Sequence, residues 1–207
     1  MTQNTKRSGW QLKDVLMVAI IGVLFSFLYL ACVYIGMGVT TALTPLGWGA
    51  LGYEPFYGIF FMAASTAVFI IQKPGVGIVA EVIAATLEVL MGNWFGPGVI
   101  LTGLIQGAAV ELVFFITRYR VFNMKTMILG SISVAVIIFI YHFWESQFYL
   151  YPAEISAVML IVRVASSIVF TGVIATLIGK GLAKTGILKA YPLGQKYASE
   201  QTLEIDE

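Results

Sequence analysis

Charge is scarce in this chain. Its 207 residues include 12 Lys or Arg and 11 Asp or Glu, so 11% are charged, against about 25% in soluble domains. The formal net charge is +1, which lacks the basic excess of a nucleic-acid binder. Histidine occurs once, as His142, and this excludes a His-rich metal site. Cysteine also occurs once. Cys32 cannot form an internal disulfide, and in its apolar run it reads as a small packing residue. Gly-x-Ser-x-Gly, Ser-x-x-Lys and a phosphate-cradling Walker loop are all missing. The chain therefore reads as no enzyme and as needing no cofactor, and any ATP hydrolysis must come from a partner.

What fills the chain instead is apolar: 59% of it is hydrophobic. A soluble fold of this size cannot hide that much apolar surface, so lipid is the expected solvent. The first run, 15–37, follows Lys6, Arg7 and Lys13 as a signal sequence would. It is longer than the roughly 7–15 residues of a cleaved leader, so it reads as a span.

Spanning helices need about 20 mostly apolar residues. Six candidates run over 14–37, 56–72, 75–91, 97–117, 124–147 and 153–180. Lys and Arg orient them, because cytoplasmic connections collect positive charge. Lys6, Arg7 and Lys13 precede the first helix, and Lys73 follows the second. Arg118, Arg120 and Lys125 follow the fourth, and Lys180, Lys184, Lys189 and Lys196 end the chain. Connections 38–55, 92–96 and 148–152 carry none. The expected architecture is an all-α, six-helix transmembrane bundle with both termini cytoplasmic. Its parts are a cytoplasmic segment 1–13, a membrane domain 14–180 and a cytoplasmic tail 181–207, and the expected location is a bacterial cytoplasmic membrane.

Ionisable residues inside spans usually face the bundle interior and mark function. Glu81 and Glu88 are seven apart and share a helix face with Ala84 and Ala85. Gly103, Gly107 and Glu111 form one stripe of close helix approach, with Gln106 beside it. His142, Glu145 and Tyr149, spaced three and four, predict one face of the fifth helix. Sorting by depth gives an outer group: Glu88, Asn93, Trp94, Tyr141, His142, Trp144, Glu145 and Tyr149. Carboxylates, an imidazole, an amide and aromatic faces suit a small, flat, amine-bearing or cationic ring, with Glu88 on its N–H edge. The glycines of 38–55 would let that loop act as an outer lid. The inner group is Glu81, Glu111 and Arg163. A buried Arg requires a carboxylate partner, and Glu111 (or Glu81) is the expected one. An alternative reading makes these three an ion relay in a small secondary transporter.

Three segments carry a family resemblance: Trp10-Gln11-Leu12-Lys13-Asp14-Val15, Glu81-x₆-Glu88-x₃-Gly92-Asn93-Trp94, and Gly103-x-x-Gln106-Gly107-x-x-x-Glu111. Their order and spacing resemble the YkoE family, six-helix substrate-binding S components of energy-coupling factor (ECF) transporters. The resemblance implies capture of hydroxymethylpyrimidine or thiamine from outside. It also implies a transmembrane coupling protein and ATPase subunits as partners. Small residues on helix one, here Ala19, Gly22 and Ser26, would dock the coupling protein. By analogy with thiamine-specific S components, Glu88, His142, Trp94 and Trp144 would hold the ligand.

Overall fold

A computed structural model describes residues 9–205; Lys6 and Arg7 lie outside the described residues. Helix α1 spans Leu12–Leu43. Four short 3₁₀ turns follow, at Thr44–Leu46, Gly49–Leu51, Glu54–Phe56 and Ile59–Phe61. Then come α2 (Met62–Ile71), α3 (Val76–Leu90), α4 (Gly98–Ile116) and α5 (Met124–Glu145). After a further 3₁₀ turn at Phe148–Leu150 come α6 (Ala153–Ser167), a π-helical stretch Ile168–Ile174, α7 (Ala175–Lys184) and α8 (Pro192–Ile205). No strand occurs among the described residues.

Local chemistry sets these boundaries. At the start of α1, Asp14 Oδ2 accepts the Gln11 N–H at 2.7 Å and pairs with Lys73 Nζ at 2.6 Å. Asn123 and Thr126 cap α5 reciprocally. Helix α2 stops at Gln72, which adopts a left-handed φ of 57°, and Pro74 and Gly75 prevent its continuation. Between α1 and α2, Pro45, Gly47, Gly49, Gly52, Pro55 and Gly58 break the helical ladder into single turns. The expected loop 38–55 is therefore partly helix, since α1 runs on to Leu43.

The packing is polar inside and apolar outside. Leu16, Ile20, Leu24 and Phe27 of α1, Leu101 and Phe115 of α4 and Ile161 of α6 are exposed. Asp14, Glu54, Glu81, Glu88, Glu111, His142 and Arg163 are buried. That inversion belongs to a protein solvated by lipid. Helices Gly98–Ile116 and Met124–Glu145, with the longer segments Leu12–Leu46 and Ala153–Lys184, are each long and apolar enough to cross a membrane. Segments Gly49–Phe56 and Ile59–Ile71, bent by 46°, make a fifth if taken together. Helix α3, with 15 residues, is shorter than the roughly 20 a full span needs.

Helix α2 is the hub, with all ten residues buried. Helix α3 lies beside it, clasped between α1 and α4. A Cβ on Gly22 would sit 2.5 Å from Ile83 Cγ2, and one on Gly107 would sit 2.5 Å from the Ile78 Cα. Only glycine lets both neighbours approach the α3 backbone this closely.

Candidate functional site

Helix α3 carries two buried carboxylates two turns apart on its inner face, and a cavity of about 150 Å³ lies against both. Its deeper wall is Tyr29, Phe60, Glu81, Ala85 and Gln106. Its outer end is Asn93, Phe95, Gly98, Glu145 and Ser146, with Glu88, Tyr53, Tyr57 and His142 between.

Each polar group in this wall has its own bonding state. Glu88 Oε1 accepts from Asn93 Nδ2 at 2.5 Å, and Asn93 Oδ1 accepts the Phe95 N–H at 2.5 Å. The turn after α3 thereby fixes the Glu88 carboxylate. Glu81 Oε2 accepts the Ala64 N–H at 2.8 Å and the Tyr29 hydroxyl at 3.3 Å. Tyr29 in turn accepts the Ala63 N–H at 2.9 Å. Both amides belong to the first turn of α2, whose donors have no partner within the helix. Glu81 Oε1 is buried without a hydrogen-bond partner among the described residues.

A second network stands behind the cavity. Arg163 makes a two-pronged ion pair with Glu54, Nε–Oε2 at 2.7 Å and Nη2–Oε1 at 2.6 Å. Its guanidinium lies 3.7 Å from the centre of the Tyr57 ring. Nη1 is 3.4 Å from His142 Nδ1, and the Tyr57 hydroxyl is 3.1 Å from the same nitrogen. Arg offers only donors, so Nδ1 is the acceptor and the ring proton sits on Nε2. The 3₁₀ turns are anchored as well. Ser166 Oγ donates to the Pro55 carbonyl at 2.6 Å and accepts the Gly58 N–H at 3.0 Å, and Thr171 Oγ1 donates to the Gly58 carbonyl at 2.5 Å.

Of the eight residues expected at the outer site, the cavity gathers Glu88, Asn93, His142 and Glu145. Trp94, Trp144 and Tyr149 are instead exposed, at 72%, 71% and 48%, as interfacial aromatics are. Tyr141 is half-buried and touches the His142 ring at 5.5 Å without lining the cavity. The helical spacing misplaces Tyr149 because α5 ends at Glu145 and Gln147 turns left-handed at φ 58°.

Two further expectations are corrected. Arg163 pairs with Glu54, not with Glu111 or Glu81. Glu111 instead accepts the N–H groups of Gly75, Gly77 and Ile78 at 2.8, 2.7 and 3.2 Å, plus the Tyr119 hydroxyl. It caps the N-terminus of α3, where a negative charge is favoured. Glu81, Glu111 and Arg163 therefore serve three separate networks and form no relay. Gly22 and Ser26 are buried against the chain's own helices and offer a partner no free surface, while Ala19 is half-buried.

Sequence reasoning missed Tyr29, Tyr53, Tyr57, Phe60 and Phe95 as wall residues and placed Glu81 and Gln106 outside the site. For Glu81 a signal existed: the shared face with Glu88.

Comparison with known proteins gives this geometry a context. Over 188 residues the chain is 33% identical to YkoE of Bacillus subtilis (strain 168), which bears the name HMP/thiamine permease protein. The match covers 91% of this chain and 92% of that protein. The chain belongs to the YkoE family. A crystal structure of an S component of an ECF transporter superposes with a TM-score of 0.90 at 30% identity, covering 96% of this chain and 98% of that one. Residues 13–137 also match the family model described as ABC-type cobalt transport system, permease component. This YkoE-family chain is thus a membrane-transport S component, and the cavity between α1, α3, α4 and α5 is its candidate binding site.

Proposed function

We propose that the chain is the substrate-binding subunit of an ATP-driven importer and captures hydroxymethylpyrimidine, or thiamine, in this cavity from the outer side of a bacterial cytoplasmic membrane. The observation that carries the reading is the cavity itself. It combines three carboxylates, Glu81, Glu88 and Glu145, with His142 and tyrosine and phenylalanine walls. This is the chemistry that holds a flat ring bearing an amine. A volume near 150 Å³ is one that accepts a single six-membered ring in proteins. The relative's name points to the same ligands. The cobalt in the family description gets no support from the side chains: among the described residues no group of three His, Cys, Asp or Glu is placed to hold a metal ion.

Direction follows from the charges. Lys73 Nζ reaches Asp14 and the Gly9 carbonyl, and Lys13 Nζ reaches the Ala190 carbonyl. These contacts gather the start of α1, the α2–α3 turn and the C-terminal segment at one end. The positive-inside preference assigns that end to the cytoplasm and the cavity mouth to the outside. On this reading α2 with its preceding turns and the short α3 are the second and third of six crossings. They can be short because protein surrounds α2 on all sides and covers the inner face of α3. The partners are a transmembrane coupling protein and ATPase subunits that hydrolyse ATP.

Calorimetry on the purified chain is the test. Hydroxymethylpyrimidine is expected to bind at micromolar concentration or below, and Glu88→Ala to weaken it by about tenfold or more. Absence of binding by both hydroxymethylpyrimidine and thiamine would sink the assignment.

A further inference from the structure

Glu81 does two things, and only one is explained by the fold. Its Oε2 takes the Ala64 amide and the Tyr29 hydroxyl, completing the cap of α2. A cap needs one acceptor oxygen, which a glutamine amide supplies equally well. The other oxygen, Oε1, is buried with no partner among the described residues, an arrangement that costs stability when left unsatisfied. Gln106, which is 8% exposed, stands in the same deep wall of the cavity. Its amide makes no hydrogen bond to the described residues. Glu88, nearer the mouth, receives the Asn93 amide on Oε1. The deep wall thus holds a closed-off acceptor beside an amide, together the complement of an N–H next to a ring nitrogen.

We propose that Glu81 and Gln106 are the specificity-determining pair of the site, and that the amino-bearing edge of the ligand's ring points inward to them. Glu81 Oε1 accepts the exocyclic N–H, and the Gln106 amide donates to the adjacent ring nitrogen. Glu88 and His142 then face the substituent directed toward the mouth, a hydroxyl or a second, cationic ring. This orientation rests on the ligand class proposed above and replaces the sequence-based assignment of the N–H edge to Glu88.

The test measures a preference as well as an affinity. Calorimetry compares hydroxymethylpyrimidine with its oxo analogue, in which a carbonyl replaces the amino group and an acceptor replaces a donor. The wild-type chain is expected to prefer the amino compound. Glu81→Gln keeps the α2 cap but turns the free acceptor into a donor. It should weaken the amino compound by about tenfold or more, the effect of losing one buried hydrogen bond, while the oxo analogue binds as well as before or better. If Glu81→Gln keeps the wild-type preference, the orientation is wrong while the ligand assignment stands. If the wild-type chain binds neither compound nor thiamine, the ligand assignment fails and takes this proposal with it. Should Glu81→Gln not fold, Gln106→Leu gives the same reading: a reduced preference supports the pair, and an unchanged one overturns it.

Discussion

The residue with most at stake is Arg163. It is fully buried, paired at both prongs with Glu54, and stacked on Tyr57. Removing one member of a buried pair leaves a bare charge, a loss of about 3–5 kcal/mol. Arg163→Met should therefore lower the thermal unfolding midpoint in detergent sharply. The double variant Glu54→Leu, Arg163→Met removes both charges and should recover most of the loss. A double variant as unstable as the single one would show that the pair is not the source of the effect. Trp94 and Trp144 make the opposite case. Both are mostly exposed, and exposed substitutions shift free energies by about half a kcal/mol. Trp94→Ala and Trp144→Ala should each change ligand affinity by less than about threefold, measured by calorimetry. A large loss at either would return it to the site.

At the scale of elements, α3 matters because it carries both carboxylates and touches α1, α2 and α4. Gly107→Ala places a Cβ 2.5 Å from the Ile78 Cα, a backbone atom that cannot step aside. Forced overpacking of this kind costs about 1–3 kcal/mol, so stability and ligand affinity should fall together as α3 is pushed. Gly38→Ala, with nothing within 4 Å, should change neither, and equal effects of the two would refute the clasp.

Sequence periodicity read these elements well where they are regular. The boundaries of α3, α4 and α5 fall within two residues of expectation, and Glu88, Asn93, His142 and Glu145 meet as the depth sorting implied. It failed where the chain stops being regular. Spacing by three and four does not carry past Glu145, so Tyr149 was misplaced. Glu54, in a run of single turns, could not be recognised as the partner of a residue 109 positions later. Tyr29 and Tyr57 gave no signal, because an aromatic ring in an apolar stretch looks the same whether it faces lipid, core or ligand.

For the whole molecule, the contacts of Lys73 and Lys13 bring both ends of the chain to one pole, and Tyr34 reaches the Gly92 carbonyl toward the other. Exposed Lys189 and exposed Trp94 mark these poles. In intact cells a membrane-impermeant thiol reagent should label Trp94→Cys and spare Lys189→Cys until the membrane is opened. The reverse pattern would invert the proposed orientation. The native Cys32 is buried and leaves the readout clear.

The hub helix has a consequence for how such a chain is made. Ten residues of α-helix extend about 15 Å, half of a hydrocarbon core of about 30 Å. While the ribosome is still emitting α2, nothing yet synthesised can hold it in the bilayer except α1. Its ten side chains are shaped for protein neighbours that arrive later: α3, α4, α7 and α8. Integration of α2 must therefore wait for α3 and proceed as a hairpin turning at Lys73, and its wrapping must wait for the last helices. The cavity, walled from both α1 and α5, is then among the last features to form, and an early stop in synthesis yields a chain that sits in the membrane without a place for a ligand.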